Sequence, residues 1–380
     1  MTIKFIHTSD WQIGKVFRFV DKGTMGLLQE ARLAAITRLG DLAVEHDVGH
    51  ILVAGDVYDM EALSSRSLGQ PLERMRSFKS VTWHLMPGNH DPNRPHGLWE
   101  QLVRRDVPEN VMLHLSAGPR IFKDDGFAVL PAPLQHRRTL RDPTEYMDEA
   151  ETPDGIIRIG LAHGTVKGFG SDDKDIPNYI SPERPKAAGL AYLALGDWHG
   201  QKKINEKVWY SGTHETDGFE VAGGGQALLV EIQGADSAPV VTPIETGHYR
   251  WMTYCEQINS REDIDTLVKT LRGSEGDLNR ILVRLVVEGA VSLQDRQYFE
   301  QQIVDQISAA FRYLRIDDTG LFPRPNDQDF EQINQGGFVR TAADVLRKKA
   351  EDTSDAEHEV AALALQRLFV EHLKLRQSNQ

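Results

Sequence analysis

The chain has 380 residues, of which 40% are hydrophobic and 26% are charged, and its formal net charge is −13 at pH 7. This length exceeds one ordinary domain, so we expect two or three, and the ordinary composition excludes a fibrous or disordered chain. The acidic balance argues against a free-standing nucleic-acid binder, because phosphate contacts depend on clustered Lys and Arg. Bound divalent cations or a basic partner would have to offset this charge.

The single cysteine, Cys255, cannot form an internal disulfide. The N-terminus shows no charged segment followed by a short apolar run of the kind that directs secretion. No apolar run approaches the roughly 18 residues that a membrane helix needs. These observations predict a soluble, cytoplasmic protein that does not enter a membrane.

The chain opens with a predicted β-α-β unit, whose strands are expected at Ile3–His7 and Ile51–Ala54. The helical spacing between them is carried by Leu28, Ala31, Ala35, Leu39 and Leu42. Further strands are predicted at Val81–Met86, Phe127–Leu130, Ile156–Ala162, Ala191–Leu195, Val208–Tyr210 and Ala227–Ile232. Because open α/β sheets place ligand crevices at the carboxyl ends of strands, polar residues directly after these runs are the candidate functional residues.

The pattern changes near Gly247, and we divide the chain into residues 1–247, 248–325 and 326–380. The middle segment is predicted to be a small α+β domain, with a strand at Arg280–Glu288 and an apolar i+4 stripe on a following helix. The stripe consists of Phe299, Ile303, Ile307 and Phe311. After a loop at 323–327, two helical segments end the chain, the second opened by the capping-box pattern Ser354-Asp355-Ala356-Glu357.

Five predicted strand ends carry residues of the types that bind metals. They are Asp10 with Gln12, Asp56 with Asp59, Asn89-His90-Asp91, His163, and Asp197 with His199. Each motif alone is weak evidence, since Gly-Asp after a strand is usually a turn and a single His is more often a core or surface residue. Their joint occurrence, each directly after a β-like run, predicts a metal site.

The order of these motifs resembles the calcineurin-like metallophosphoesterase superfamily, whose pattern is D-x-H, G-D-x-x-D, G-N-H-[DE], H and G-H-x-H. The resemblance covers about residues 1–200 and implies an α/β fold, a four-layer α-β-β-α sandwich. The segments Ile6–Trp11 and Tyr210–Thr213 are similar, more narrowly, to the SbcD-type nuclease subunit of the DNA double-strand-break repair complex. That family adds a small capping domain and a partner-binding helical segment, which we expect at 248–325 and 326–380.

The resemblance implies a role for each motif residue. One metal would take Asp10, Gln12, Asp56 and His199, and the other Asp56, Asn89, His163 and Asp197. Two cations about 3.5–4 Å apart would share the Asp56 carboxylate, lower the pKa of bound water and clamp the phosphoryl oxygens. His90 would protonate the leaving oxygen, with Asp91 orienting its imidazole. Asp59 would support a ligand from outside the metal shell, although a surface turn is the alternative for both carboxylates.

Two positions depart from the family pattern, because Gln12 stands where a histidine is usual and Asp197 where the first His of G-H-x-H is usual. Both changes replace an imidazole nitrogen by oxygen, which favours Mn²⁺ or Mg²⁺ over zinc-like metals. We therefore predict manganese, with Mg²⁺ and Fe as alternatives. A neutral amide on one metal and an extra carboxylate on the other predict one retained and one readily lost metal. A degenerate, inactive site is the alternative.

A DNA substrate is expected from the opening motif, from the length beyond the catalytic core and from basic residues near the motifs. The candidate phosphate-binding residues are Lys15, Arg18, Arg137, Arg138 and Arg141, for which a solvated surface is the alternative. The leading expectation is a Mn²⁺-dependent nuclease in DNA repair, exonucleolytic on duplex DNA and endonucleolytic on single strands. The alternatives are a phosphoesterase acting on small-molecule or protein phosphoesters and a catalytically weak metal-binding scaffold.

The C-terminal helices carry more apolar residues than a lone terminal helix needs. These include Val360, Leu363, Ala364, Leu368 and Phe369. The resemblance implies docking on the coiled coil of an SMC-like (SbcC-type) ATPase, which would also supply a basic DNA-binding surface. Packing on the chain's own domain is the alternative, and a homodimer is a further expectation.

Overall fold

The computed structural model describes residues 2–60, 63–166, 177–323, 338–352, 354 and 357–378. It divides into two compact units, Met1–Arg250 and Trp251–Gln380. The strands of the first unit are β1 (Ile3–Thr8), β2 (His50–Val53), β3 (Thr82–Leu85), β4 (Val111–Leu113), β5 (Arg120–Phe122), β6 (Phe127–Ala132), β7 (Ile157–His163), β8 (Tyr192–Gly196), β9 (Lys202–Lys203), β10 (Val208–Tyr210), β11 (Gln226–Ile232) and β12 (Val240–Glu245). Its helices are α1 (Lys22–Glu45), α2 (Ser65–Arg76), α3 (Leu98–Val103) and α4 (Arg184–Ala187).

The strands of the first unit form two six-stranded sheets among the described residues. The first sheet has the order β12-β11-β1-β2-β3-β4, in which β1 to β4 run parallel and β11 and β12 are antiparallel additions. The second has the order β5-β6-β7-β8-β10-β9, with β6, β7, β8 and β10 parallel. The parallel strands of each sheet therefore present their carboxyl ends at one edge.

Alternation of apolar residues along the central strands creates the layers. Ile6 and Ile51 pack against the helices α1, α2 and α3, whereas Phe5 and Leu52 pack against β6 and β7 of the second sheet. The other face of the second sheet, including Leu193, is covered by a 3₁₀ turn and α4 with its flanking residues. Each such fully buried side chain stabilises the fold by about 1.5–3 kcal/mol. The predicted four-layer α-β-β-α arrangement is confirmed, although its outermost layer is thin.

The helix predicted between the first two strands is confirmed as α1. The Asp21 side chain caps its first turn by accepting hydrogen bonds from Gly23 N at 2.8 Å and Thr24 N at 3.0 Å. The apolar positions at its centre, such as Leu28 and Leu39, are buried against the first sheet. The helix thereby fixes the loop between β1 and α1, which carries the first motif.

The second unit contains a three-stranded sheet of order β13-β14-β15. Its elements are β13 (Arg250–Ile258), α5 (Arg261–Arg272), β14 (Ile281–Val291), α6 (Leu293–Phe299), β15 (Tyr313–Pro323), α7 (Phe338–Glu351) and α8 (His358–Ser378). The helix α6 continues as π-helical turns at Glu300–Ile307 and a 3₁₀ turn at Ser308–Ala310. The predicted stripe from Phe299 to Phe311 lies buried in this unit, together with α5 and β14.

The predicted domain limits of 247 and 325 stay predictions, since the compact units divide at Arg250 and part of the later segment is not described. The predicted loop at 323–327 lies outside the described residues except for Pro323, and so do Asp355 and Ala356 of the predicted capping box. No helix among the described residues is long and apolar enough to cross a membrane.

Candidate metal centre

The predicted site residues lie at the carboxyl ends of strands from both sheets. In the first sheet Asp10 follows β1, Asp56 follows β2, and Asn89 follows β3. In the second sheet His163 is the last residue of β7 and Asp197 directly follows β8. The two sheets meet here, because Asp197 N donates to both carboxylate oxygens of Asp10 at 3.2 Å.

The turns that present these side chains adopt backbone angles that most residues avoid. Asp10, Gln12 and Asp56 have φ of 53°, 40° and 52°, and Asp197 has φ of 105°. Such conformations cost about 1–3 kcal/mol each and persist where the surrounding structure over-determines them. Their clustering at four predicted ligand positions is typical of a functional site.

Two glycines allow the loops to approach one another. A Cβ on Gly88 would lie 2.2 Å from Asp56 Oδ1, and one on Gly55, which has φ of +82°, would lie 2.5 Å from His163 Nδ1. No larger residue fits at either position without displacing a site residue. The glycines of the G-D and G-N-H motifs therefore serve the close packing of the site.

The centre of the site is a buried cluster of Asp10, Asp56 and His163, whose ligand atoms all lie within 4.8 Å of one another. His163 Nδ1 lies 2.8 Å from the carbonyl oxygen of Ala54, so Nδ1 carries a hydrogen and Nε2 faces the carboxylates. Nε2 is 3.4 Å from Asp56 Oδ1 and 3.7 Å from Asp197 Oδ1. Burial lowers the pKa of His163, but Asp56, Asp10 and Asp197 outweigh it and raise the pKa to about 9. The carboxylates thus favour a positive charge at this point.

Two buried atoms of the site lack hydrogen-bond partners among the described residues. They are Asn89 Oδ1 and His163 Nε2. The rest of each side chain is held firmly, since Asn89 Nδ2 donates to Asp197 Oδ1 at 2.7 Å. Thr165 Oγ1 donates to the other Asp197 oxygen at 2.7 Å. Leaving a buried polar atom unpaired costs about 1–3 kcal/mol, and a bound cation would satisfy both atoms. The set of Asp56, Asn89, His163 and Asp197 predicted for one metal therefore fits a divalent cation.

The set predicted for the other metal is arranged differently. The amide oxygen of Gln12, which was predicted to bind metal, accepts a hydrogen bond from Lys15 Nζ at 2.6 Å. Gln12 Nε2 lies 3.2 Å from His199 Nε2 and 3.5 Å from Asp56 Oδ2. His199 Nε2 is 3.9 Å from Asp10 Oδ1. An amide nitrogen, which has no free lone pair, is thus the atom that Gln12 presents to the cluster.

His199 is oriented by Asp217, a residue that the sequence did not indicate. Asp217 Oδ2 lies 2.9 Å from His199 Nδ1 and 2.7 Å from Lys15 Nζ. Burial lowers the pKa of His199, but the Asp217 hydrogen bond and charge raise it above its ordinary value. Burial of Asp217 opposes its ionisation, yet His199, Arg32 and Lys15 hold the pKa of this carboxyl below its usual range. The only hint in the sequence is the polar run after Tyr210–Thr213, from His214 to Asp217.

The Asp91 carboxylate contacts backbone rather than the His90 ring. Its oxygens accept hydrogen bonds from Gly88 N at 2.7 Å and Tyr58 N at 3.1 Å. His90 Nδ1 instead lies 3.1 Å from Asp59 O and 3.8 Å from Asp59 Oδ1. The predicted orientation of His90 by Asp91 is therefore corrected: Asp91 closes the loop that carries Asn89 and His90, and Asp59 is the residue beside the imidazole. Burial and the Asp56 charge raise the pKa of Asp91 well above its ordinary value.

Arg32, on the buried face of α1, is a second organising residue that the sequence reasoning missed. Its guanidinium donates to Trp11 O, Asp10 O and Glu215 O, each at 2.8 Å, and to Thr213 Oγ1 at 3.0 Å. It joins the first motif loop to the segment that supplies Asp217. The available signal was a charged residue four positions after Leu28, on a helix face otherwise occupied by apolar residues.

The predicted DNA-binding residues divide into two groups. Lys15 lies inside the site, as described, whereas Arg18, Arg137, Arg138 and Arg141 are exposed. The loop carrying the last three is tied to the site, because Asn178 Nδ2 donates to Arg137 O at 3.0 Å. Asn178 O in turn accepts from Thr165 N at 2.9 Å. These arginines therefore lie on a loop anchored beside the metal cluster.

Comparison with known proteins supports the class that this site defines. Residues 3–184 match the family model described as calcineurin-like phosphoesterase. The fold and this match support a calcineurin-like metallophosphoesterase, a class of metal-dependent hydrolases.

Two curated relatives are similar along most of the chain. The uncharacterized metallophosphoesterase YhaO of Bacillus subtilis is 24% identical over 311 residues, covering 76% of this chain and 72% of that protein. The DNA double-strand break repair protein Mre11 of Saccharolobus solfataricus is 21% identical over 359 residues, covering 87% and 88%. Among solved structures, TT1561 of Thermus thermophilus is similar with a TM-score of 0.41 and 15% identity, covering 65% of this chain and all of that one.

Proposed function

We propose that this protein is a metal-dependent phosphodiesterase that cleaves DNA, exonucleolytically on duplexes and endonucleolytically on single strands. The observation that carries the proposal is the buried cluster of Asp10, Asp56 and His163, together with the exposed Trp198 between the neighbouring site residues Asp197 and His199. The cluster supports phosphoester hydrolysis, and the tryptophan supports a nucleic-acid substrate.

The residues that would hold a divalent cation are Asp56, Asn89, His163 and Asp197. When bound, such a cation lowers the pKa of its water and stabilises charge on the phosphoryl oxygens. The donor set contains two carboxylates, one amide oxygen and one imidazole, and this oxygen-rich composition favours manganese, with Mg²⁺ and Fe as alternatives.

His90 is placed to donate a proton to the leaving oxygen. Its Nδ1 lies 3.1 Å from the carbonyl oxygen of Asp59, which can only accept, so Nδ1 carries a hydrogen. The protonated ring then releases its Nε2 hydrogen to the departing oxygen and becomes neutral imidazole. The His90 backbone N donates to Asp56 Oδ1 at 2.9 Å, and this hydrogen bond fixes the His90 backbone relative to the cluster.

Trp198 supports a substrate that contains bases. It lies between Asp197 and His199, and 47% of its surface is exposed. The Lys202 ammonium lies 4.9 Å from the centre of its ring. Bases of single-stranded nucleic acid stack on such aromatic side chains with about 1–3 kcal/mol per base, while nearby cations contact the backbone. The similarity to the DNA double-strand break repair protein Mre11 also supports this assignment.

We further propose that the C-terminal helices dock on an SMC-like ATPase in the cytoplasm, and that the nuclease acts in DNA repair. The helices α7 and α8 pack on one another through residues including Ala343 and Leu365. Val345, Val360 and Leu363 remain exposed on them. Exposed apolar residues of this kind are typical of interaction surfaces. A homodimer is an alternative use of the same helices.

A comparison of DNA with a small phosphodiester tests the nuclease proposal. Labelled duplex and single-stranded DNA, and bis(p-nitrophenyl) phosphate, are incubated with Mn²⁺ and wild type, Asp56→Ala, His90→Ala or Trp198→Ala. We expect Asp56→Ala to lose both activities, and Trp198→Ala to lose single-stranded cleavage while retaining the small ester. His90→Ala is expected to retain more activity on the small ester, because p-nitrophenolate leaves without protonation.

The other outcomes identify the alternatives. Hydrolysis of the small ester without cleavage of DNA would favour a phosphoesterase of small-molecule or protein substrates. Release of no product from any substrate, with metal binding intact, would favour a scaffold. Equal DNA cleavage by wild type and Asp56→Ala would refute the assignment of the site.

A further inference from the structure

Lys15 lies beside the position of a second metal, which the family resemblance would place between Asp10, Gln12 and His199. We propose that the chain holds one catalytic metal, at the cluster of Asp56, Asn89, His163 and Asp197, and that the Lys15 ammonium supplies the second positive charge to the phosphoryl group. This inference rests on the proposed phosphodiesterase function, but not on DNA being the substrate. It replaces the two-metal arrangement expected from the sequence.

The orientation of the Gln12 amide is the first support. Lys15 Nζ lies 2.6 Å from the atom assigned as Gln12 Oε1. Turning the amide over would place its NH₂ group at this distance from an ammonium, and both groups are hydrogen-bond donors only. The amide oxygen is therefore fixed on Lys15. The group facing Asp56 and His199 is an NH₂, which cannot bind a cation.

The charge of Lys15 is the second support. Its ammonium is also 2.7 Å from Asp217 Oδ2, the oxygen that lies 2.9 Å from His199 Nδ1. Lys15 therefore shares a carboxylate with a predicted metal ligand. A divalent cation bound between Asp10 and His199 would be repelled by this ammonium in a site of low dielectric. The position between Asp10 and His199 thus lacks one ligand, and the Lys15 ammonium lies beside it.

The unpaired atoms of the site are the third support. Asn89 Oδ1 and His163 Nε2, the two buried site atoms without hydrogen-bond partners among the described residues, both belong to the ligand set of the other metal. At the Lys15 side, Gln12 and Asp217 are satisfied by protein groups. Free ligand atoms are therefore found at the metal position of Asn89 and His163, whereas the side chains at the other position are hydrogen-bonded to Lys15.

Lys15 remains accessible to a substrate. Its side chain is 24% exposed, whereas Asp217 is buried beneath it at 2%. An ammonium has three donors, and Gln12 and Asp217 use two of them. The third donor is available to a phosphoryl oxygen, which is the position that a second metal would otherwise clamp.

Metal stoichiometry tests the proposal directly. Metal-free protein is dialysed to equilibrium against Mn²⁺, the bound metal is counted by elemental analysis, and the Mn²⁺ signal is recorded by electron paramagnetic resonance. Wild type is expected to hold one Mn²⁺ per chain with an isolated six-line signal. The double variant Gln12→His, Lys15→Met is expected to hold two, with a signal broadened by coupling between the ions. Arg18→Met, which removes an exposed cation three residues further on, should hold one.

Two results would overturn the proposal. The first is a wild type that holds two Mn²⁺ with comparable affinity, a result that needs no variant. The second is a folded double variant, checked by circular dichroism, that still holds only one.

Activity provides an independent arm. With bis(p-nitrophenyl) phosphate, Lys15→Met should lower kcat about 100-fold, the effect of removing one preorganised donor of a transition-state charge. Lys15→Arg should retain more activity, and the double variant in Mn²⁺ should recover part of it. An unchanged kcat and KM in Lys15→Met would refute contact with the phosphoryl group. Failure of DNA cleavage alone would affect only the proposed substrate, because these measurements use no DNA.

Discussion

Replacing Asp91 by Asn tests whether this carboxylate organises the loop or acts on the His90 ring. Both Asp91 oxygens accept backbone hydrogen bonds, from Gly88 N at 2.7 Å and Tyr58 N at 3.1 Å. Asn has the same shape but only one oxygen, so its NH₂ must face one of these N–H donors. Loss of one backbone hydrogen bond, with its buried donor left unpaired, should lower the free energy of unfolding by about 1–3 kcal/mol.

Urea denaturation in EDTA, followed by tryptophan fluorescence, measures this change without interference from bound metal. Asp59→Asn is the matched control, because the Asp59 carboxylate lies 3.8 Å from His90 Nδ1 and, among the described residues, does not close a loop by accepting backbone hydrogen bonds as Asp91 does. We expect Asp59→Asn to change the pH–rate profile with little loss of stability, and Asp91→Asn to do the reverse. Unchanged stability of Asp91→Asn together with an altered pH–rate profile would show that Asp91 acts on His90.

Three further substitutions test how the fold supports the site. Arg32→Met should lower the free energy of unfolding, measured by urea denaturation, by about 3–5 kcal/mol, because removing the buried guanidinium leaves its acceptors unpaired. Arg18 is exposed, and Arg18→Met should lower it by less than about 0.5 kcal/mol. Burial, with a smaller effect of Arg120, lowers the pKa of His114 to about 4, so the unfolded chain takes up a proton first as pH falls below about 6.5. The contribution of His114 to the free energy of unfolding is complete above that pH and is lost towards pH 4. Between pH 7.5 and 5.5, the free energy of unfolding of His114→Gln should therefore fall by about 1.4 kcal/mol less than that of wild type. Ile303→Ala should destabilise the second unit by about 2–5 kcal/mol while leaving Mn²⁺ stoichiometry unchanged, and a loss of metal with it would contradict this separation.

Regular periodicity explains which elements the sequence predicted. The parallel strands β1, β2, β3, β7 and β8 are rich in apolar residues, and their predicted limits agree with the structure to within two residues. The strands β4, β5 and β9 have only two or three residues, too few to show a period, and were not predicted. The equally short β10 was predicted because all three of its residues, Val208–Tyr210, are apolar or aromatic. The half-exposed strand β13 carries a weak alternation that gave no clear signal.

The sequence by itself determined the chemistry available to this protein. Residue types that follow buried strands, such as Asp10, Asp56 and His163, are local features, and parallel strands place those of one sheet, Asp10 and Asp56, at the same edge. The motifs likewise showed that Gln12 and Asp197 stand where the family pattern has histidines.

Only the tertiary structure decided what Gln12 does. Its partner Lys15 is nearby in the chain, but the Asp217 that holds Lys15 is 202 residues away and is positioned by contacts of Arg32 between distant segments. Local patterns carry no information about such pairings, because the geometry that joins them is set by packing of the two sheets and α1. Gln12, which the sequence predicted to be a metal ligand, is in the folded protein the hydrogen-bond acceptor of the partly exposed Lys15 ammonium.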